Sequence, residues 1–540
     1  MKWTYFIFLI MCLPELVVSQ PFNNEAHDVI VDKSGNVYVT GSGKVEATDY
    51  NYVTVKYNTV GEEQWIATYN GPGNTRDEAF AIALDDSANV FVTGCSGDDI
   101  VTIKYNNSGI RQWVSRFDGK GDQPDEGRDI VVDESGEVYV AGRVHGPETD
   151  YDFITIKYNA NGQKYWALRY NGPGNGVDEA AASVLDSDGN VYITGFSDGG
   201  NSTGLDYATI KYNPFGVQQW LVRYDAGNGD DKAHAIAVSG DNDIFIAGES
   251  FKPDTNLDYA LLKYNASGVR QWAVRFNGTA NAEDAAYAVA VDQTGHACVT
   301  GTSKNQDTGN DYVTLKYNAS GVKQWQASYD GPADADDNDR AADIVIDNVN
   351  DIYVTGNSVG AASLSDFATL KYNSSGVRQW VARFNGQENS DDQVFAIAID
   401  QMGTTYVTGK TKISDTEFDF ATVKYNSSGV QQWVTRLDTL VMTDVHGKIK
   451  KPVAQRLYQN FPNPFNASTV IQYDVPGAAY VKLNIFDVTG RKVYALVNGR
   501  QTPGYYSYHL DASHLVSGVY FYTLNIGDTF SDMKQMLIIR

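Results

Sequence analysis

The chain has 540 residues, of which 12% are aromatic and only 20% charged, with 50 Gly and 35 Tyr. That composition excludes a disordered chain and points to a turn-rich, all-β protein. Net charge is −25, with −29 on residues 20–439 and +4 from residue 440 onward; so acidic a body repels phosphate backbones, which excludes nucleic acid as a partner.

The N-terminus reads as a signal peptide over residues 1–19. Lys2 supplies the positive charge, Trp3 to Leu13 the apolar run, and Val17-Val18-Ser19 the small residues for cleavage. The run is too short to span a bilayer and no later stretch reaches 18 apolar residues, so no transmembrane span is expected. Cys12 raises a lipoprotein alternative, but Met11 stands before it where a small residue is needed. The remaining cysteines, Cys95 and Cys298, fall in repeats two and six. On opposite sides of a ring they are too far apart to pair, so the core alone must hold the fold.

One stretch recurs eight times, for example DFATLKYNSSGVRQW at Asp366–Trp380. Its Lys-Tyr-Asn core begins at Lys56, Lys104, Lys157, Lys211, Lys263, Lys316, Lys371 and Lys424, 48 to 55 residues apart. Every copy has a Gly five residues and a Trp nine residues after the Lys. A period of about 50 is that of a propeller or solenoid. In repeat two, Ala79–Leu84, Val90–Gly94, Asp99–Tyr105 and Gln112–Phe117 read as four short strands. Four strands per repeat describe one blade, so residues 20–439 are expected to form an eight-bladed β-propeller, with a seven-bladed or open arrangement as the alternative.

Loop lengths orient the ring. First-to-second and third-to-fourth connections are short and constant, the latter built on turns such as Asn265-Ala266-Ser267-Gly268. Second-to-third loops (Arg143–Tyr151, Phe196–Leu205, Thr302–Asn310) and fourth-to-first loops (Asp330–Asn338) are long and varied. In an up-and-down blade these emerge on one face, where function is expected. Residues 440–457 read as a linker. Residues 458–540 read as a small C-terminal β-sandwich with strands at Val470–Tyr473, Val481–Asp487 and Gly518–Leu524.

Three resemblances follow from these residues. Ala81–Gly94 (AIALDDSANVFVTG) and Asp206–Asn213 (DYATIKYN) resemble SBBP-type beta-propeller repeats, which implies a propeller over 24–439. The spacing Gly376 to Trp380 is similar to the tryptophan-docking motif of eight-bladed quinoprotein propellers. It implies a blade-packing role for Trp65, Trp113, Trp166, Trp220, Trp272, Trp325, Trp380 and Trp433. Residues 458–540 resemble the C-terminal sorting domain of the type IX (Por) secretion system. The match rests on Asn460–Asn466 (NFPNPFN), Ile485–Val493 (IFDVTGRKV), Ser517–Leu524 (SGVYFYTL) and Lys534–Ile538. This implies export across the outer membrane, to the cell surface or beyond, with the type IX machinery as partner.

Strict repetition argues against catalysis, because a general base or nucleophile needs surroundings unlike its neighbours'. The repeated Lys, Trp and third-strand Asp (Asp99, Asp206, Asp258, Asp311, Asp366, Asp419) are therefore read as structural. The most diverse position opens the innermost strand: His27, Phe80, Arg128, Ala181, His234, Tyr287, Ala342 and Phe395. His27, Phe80, Arg128, His234, Tyr287 and Phe395 are the expected ligand-binding residues at the channel mouth, suited to stacking on and hydrogen-bonding a sugar or peptide; the bland alternative is an unconstrained, half-exposed position. His27 and His234 stand four blades apart, too far to share a metal. Asp186–Gly189 and Asp334–Asp337 raise calcium at acidic loops, although neither completes an EF-hand loop. No Ser elbow, HExxH, phosphate loop or dinucleotide fingerprint occurs, so no other cofactor is expected. The expectation is a monomeric, secreted or surface-displayed binding or adhesion scaffold and not an enzyme. The rivals are an extracellular hydrolase or lyase on polysaccharide or peptide, with paired loop acids, and a quinoprotein-like dehydrogenase.

Overall fold

The computed structural model describes residues 24–437 and 455–539, apart from loop positions 45–49, 74, 120–122, 147–148, 201–203, 228, 333–336, 362, 387–388, 390, 415–416, 461–462, 464, 467, 502–503 and 528–529. The signal-peptide reading and most of the linker lie outside the described residues.

Among the described residues, 24–437 fold into eight sheets, each built on four antiparallel strands consecutive in sequence. The second sheet is typical: Asp77–Leu84, Val90–Ser96, Asp99–Tyr105 and Arg111–Phe117. No sheet borrows a strand from the other end of the chain. The sixth differs from the four-stranded expectation, because Asp337–Asn338 in its long exit loop adds a short parallel strand beside Gly309–Tyr317. The first strands of neighbouring sheets touch in turn, and that of the eighth touches that of the first. A strand-rich ring of repeated four-stranded sheets is the construction of a propeller.

The repeated motif explains how the sheets hold together. In all eight copies the Trp indole Nε1 donates to a main-chain carbonyl in the Asn-x-x-Gly turn of the next sheet, at 3.0–3.3 Å. The indole lies against the glycine of that turn, so Gly109 sits on Trp65 and Gly376 on Trp325. The last contact closes the circle, with Trp433 of the eighth sheet on Thr59 and Gly61 of the first. The motif Lys reaches the same turn: Lys157 Nζ donates to Pro214 O at 3.0 Å and lies over the Tyr139 ring. The Gly and Trp of one repeat thus serve two different seams. Sheets one and eight also share one apolar cluster, in which Val29, Val39 and Val53 pack with Ala396, Tyr406 and Phe420.

The third-strand aspartates anchor arginines. Arg223 donates to Asp206 Oδ2 (2.7 Å), to Ser197, and to Tyr170 Oη of the preceding sheet; Arg383 repeats this with Asp366, Ser358 and Tyr329. Cys95 and Cys298 are free and buried.

Residues 455–539 form a three-stranded sheet (Arg456–Leu457, Ser468–Val475, Gly504–Asp511) and a four-stranded one (Lys492–Gln501, Ala479–Asp487, Gly518–Ile526, Phe530–Ile538). A single core joins them, including Ile471, Tyr473, Leu483, Ile485, Tyr522 and Leu524. Leu457 is already part of that core, so two residues assigned to the linker from sequence belong to this unit.

Candidate functional site at the channel mouth

Each innermost strand carries a β-bulge at one place. Pairing with the second strand skips a residue between Ala26 and Asp28, Ala79 and Ala81, Gly127 and Asp129, and so on to Val394 and Ala396. The skipped residues are His27, Phe80, Arg128, Ala181, His234, Tyr287, Ala342 and Phe395, the most varied position of the repeat. A bulged residue has no ladder partner and its side chain is re-aimed, as is common beside binding sites. Opposite the bulge the second strand always has glycine (Gly41, Gly94, Gly142, Gly195, Gly248, Gly301, Gly356, Gly409), because a Cβ there would lie 1.8–2.1 Å from a first-strand carbonyl oxygen.

The six expected ligand residues are half-buried and fall into two arcs. In the first, running over four adjacent sheets, His27 stacks on Phe80 (5.5 Å between centroids) and meets Phe395 edge-on (6.0 Å), while Arg128 lies over Phe80 (5.1 Å). His27 Nδ1 donates to Ala79 O at 2.8 Å, which leaves Nε2 facing Glu25 at 3.7 Å. In the second arc His234 contacts Tyr287 (5.6 Å) and Arg340 covers the same ring at 3.9 Å. Ala181 and Ala342 are the small members of the circle.

Charged partners that the repeat pattern did not single out complete the mouth. The hydrogen bond from His27, with further help from Lys410, holds the Glu25 carboxyl down at about 2 against the opposing effect of burial. Burial pushes Glu249 up, but His234 and Lys232 outweigh it and leave the carboxyl below its ordinary value. Glu126 and Glu179 are each shared by Arg128 and Arg143, at 2.6–3.4 Å. Arg143, Glu249 and Lys410 occupy one register position, directly after the second-strand glycine, where the sequence reads Ser42, Cys95, Arg143, Phe196, Glu249, Thr302, Asn357 and Lys410. That variability was the signal that could have found them.

A cavity of about 840 Å³ opens beside the second arc, lined by Glu249, Tyr287, Lys304, Arg340, Asn357 and Asp391 among others. Of the six expected residues only Tyr287 lines it. A second cavity of about 450 Å³ has walls from Val29–Val31, Ile344–Ile346 and Ile397–Ile399, between the first strands.

Just past the bulge, Asp28, Asp129 and Asp343 reach the next sheet. Asp28 Oδ2 accepts from Ile82 N (2.9 Å), Asp129 Oδ2 from Ser183 N (2.6 Å) and Asp343 Oδ2 from Ile397 N (3.0 Å). Burial raises all three, Asp28 to about 7 and Asp343 to about 6, against the lowering effect of the amide donors; the charges of Asp129 and Asp343 add to the rise at Asp28. A carboxyl raised above its unfolded value contributes stability fully present below about pH 4 and lost as pH climbs through its folded value. Stability to urea should therefore fall as pH rises from about 4 to about 7 and level off above it. Asp28→Asn should flatten the profile; a wild-type midpoint level across that window would contradict the assignment.

The calcium expectation at Asp186 meets a crowded carboxylate, whose oxygens accept from Asp188 N, Asn190 and Tyr192 Oη. Asp334–Asp336 lie outside the described residues.

In the C-terminal unit the two ends of the motif set meet. Asn463 Oδ1 accepts from Leu537 N (2.7 Å), Phe465 N donates to Leu537 O (3.0 Å), and Asn460 N donates to Tyr522 Oη (2.6 Å). NFPNPFN is thereby clasped to the closing strand.

No curated protein matches the chain. Among solved structures it is similar to one described as the eukaryotic initiation factor, at 8% identity and TM-score 0.39, covering 77% of this chain and 88% of that one. A protein of unknown function from Dyadobacter fermentans matches at 11% identity and TM-score 0.32, over 57% of this chain and 97% of that one. At these scores neither likeness says anything of this chain's activity. A family model does match at the C-terminus. Residues 459–540 carry a secretion system C-terminal sorting domain, which marks the chain for export through the type IX system to the cell surface or extracellular space.

Proposed function

We propose that residues 24–437 form an eight-bladed propeller, followed by a β-sandwich sorting unit, and that the propeller is an extracellular binding or adhesion module. Its ligand is a sugar or peptide held at the channel mouth, against Tyr287, Arg340, His234 and Glu249. The observation that carries this reading is the coincidence of the most varied repeat position with the bulged, unpaired residue at the mouth. A uniform frame there presents non-uniform side chains beside a cavity of about 840 Å³, the size of a small-ligand pocket. Aromatic faces and guanidinium groups at one rim suit stacking and hydrogen bonding to a hydroxyl-rich or amide-rich ligand.

The test is binding of the exported protein to glycan and peptide arrays, followed by titration of the best ligand against Tyr287→Ala and Arg340→Ala. Either change should weaken binding about tenfold or more, as expected for an aromatic or Arg anchor. Phe80→Ala and Phe395→Ala report on the other arc. Binding unchanged in all four variants would sink the site. A hydrolase or lyase is the second reading, because Glu249, Glu283 and Asp391 bring carboxylates to the cavity. It requires one acid to hold a proton at working pH, whereas His234 and Lys232 keep Glu249 ionised; turnover abolished by Glu283→Gln and Asp391→Asn would establish it.

A further inference from the structure

Where one sheet meets the next, carboxylates collect at the loop end. Asp206, near the start of the third strand of sheet four, Asp225, just after its fourth strand, and Asp231, opening sheet five, each bring one oxygen within 4.8 Å of the others. Asp206 and Asp231 are buried and Asp225 is exposed. Several of their oxygens have partners: Asp206 Oδ2 accepts from Arg223, Asp225 Oδ1 from Gly227 N, and Asp231 from Ala226 N and Phe251 N. Asp206 Oδ1 has none. It is enclosed, on a residue 5% exposed, and no donor reaches it. An enclosed carboxylate oxygen without a donor, on a residue that meets two further carboxylates, is costly unless something positive sits there.

The orphan recurs by position. Asp152 Oδ1 and Asn171 Oδ1 are both buried without partners at the seam of sheets three and four, and Asp258 Oδ1 and Asn277 Oδ1 at that of five and six. These are the same two register positions as Asp206 and Asp225. The third-strand Asp also leaves Oδ1 enclosed and unpaired at Asp311 and Asp366, so the unpaired oxygen belongs to the repeat. Among the described residues a group of three converging carboxylates is found where Asp225 stands in place of the Asn171 and Asn277 of the adjacent seams. The donors are oxygens only, with no imidazole or thiolate, which selects a hard cation. Oxygens all within 4.8 Å of one another are close enough to share one ion, since ligands facing each other across Ca²⁺ stand up to about 4.8 Å apart. Three carboxylates outnumber the single Arg223, which Ser197 and Tyr170 also hold.

We propose that Asp206, Asp225 and Asp231 bind Ca²⁺ at the seam of sheets four and five, with exposed Asp225 as the entry ligand, so that the ion pins neighbouring sheets together at the loop face. This site is independent of the channel mouth. The full chain, stripped with EDTA, is titrated with CaCl₂ by calorimetry and by thermal melting, beside Asp225→Asn, which leaves the buried core intact. Saturable binding is expected, with a melting temperature that climbs with Ca²⁺. Asp225→Asn should melt like the stripped wild type, lose the calcium-dependent rise and weaken calorimetric binding at this site about tenfold or more. Absence of Ca²⁺ heat and of any melting shift would overturn the proposal, as would identical behaviour of Asp225→Asn. A melting temperature that responds to pH but not to Ca²⁺ would also overturn it, since a buried water or a shared proton would then satisfy Asp206.

Discussion

Gly248→Ala should destabilise the protein by about 3 kcal/mol or more, while Gly240→Ala should change stability by no more than about 0.5 kcal/mol. A methyl at Gly248 would lie 2.0 Å from Lys232 O, 2.6 Å from Tyr207 Oη and 2.9 Å from Ala233 Cα. Two of those obstacles are main chain, so no rotamer change relieves them and the bulge itself must open. At Gly240 nothing lies within 4 Å of the added atom. Opening the bulge would also swing His234 away from Tyr287, so any ligand affinity should fall together with stability. Chemical denaturation of both variants checks this. A Gly248→Ala protein as stable as Gly240→Ala would mean that the bulge does not dictate the glycine.

The second large effect is expected at the Trp-docking turn. Gly376 has φ +80°, and a Cβ there would lie 2.6 Å from Trp325 Cδ2 in the preceding sheet. Gly295 has nearly the same backbone, φ +74°, but its nearest obstacle is Ala319 Cβ at 3.8 Å. Left-handed strain costs about 1–2 kcal/mol at either position. Displacing the indole from its carbonyl and from the aromatic contacts with Tyr372 adds about 2 kcal/mol at Gly376 only. The difference between the two variants therefore measures the seam contact with the backbone term removed. Equal losses at both sites would show that the indole holds nothing.

These two glycines mark what could and could not be read in the sequence. The period of the Lys-Tyr-Asn motif, the four strands per repeat and the face carrying long loops follow from spacing and turn chemistry, and the sheets match them. The bulge is different. An extra residue in a short strand such as Glu25–Val31 leaves the alternation of small and large residues readable either way, so the second-strand glycine, read simply as part of its strand, gave no sign that it is a clearance for the bulge. The Gly-x-x-x-Trp spacing joins two residues of one repeat, yet each finds its partner in a neighbouring sheet. Geometry across a seam is not written at any fixed spacing within one repeat.

The site was legible in part. Variation at His27, Phe80 and Tyr287 pointed to the mouth because a constant frame makes departures visible. The lining from Lys304, Arg340 and Asp391 was not: Lys304 and Arg340 stand at strand ends, three residues after the second-strand glycine and two before the bulge, where nothing within one repeat marks the neighbour in the next, and Asp391 comes from a loop. The same physical division runs through the molecule: what recurs builds the ring of sheets, and what does not recur gathers at its mouth.

Ring closure underlies this account, since the two arcs form one mouth only if the eighth sheet seats on the first. Thermal unfolding of Trp433→Ala beside Trp220→Ala tests it. Trp433 Nε1 donates to Thr59 O across the junction of chain ends and Trp220 Nε1 to Ala266 O within the chain, both indoles half-buried. A closed ring predicts similar losses, about 2 kcal/mol each. A Trp433→Ala protein as stable as the wild type, with Trp220→Ala impaired, would show that the first and eighth sheets do not meet.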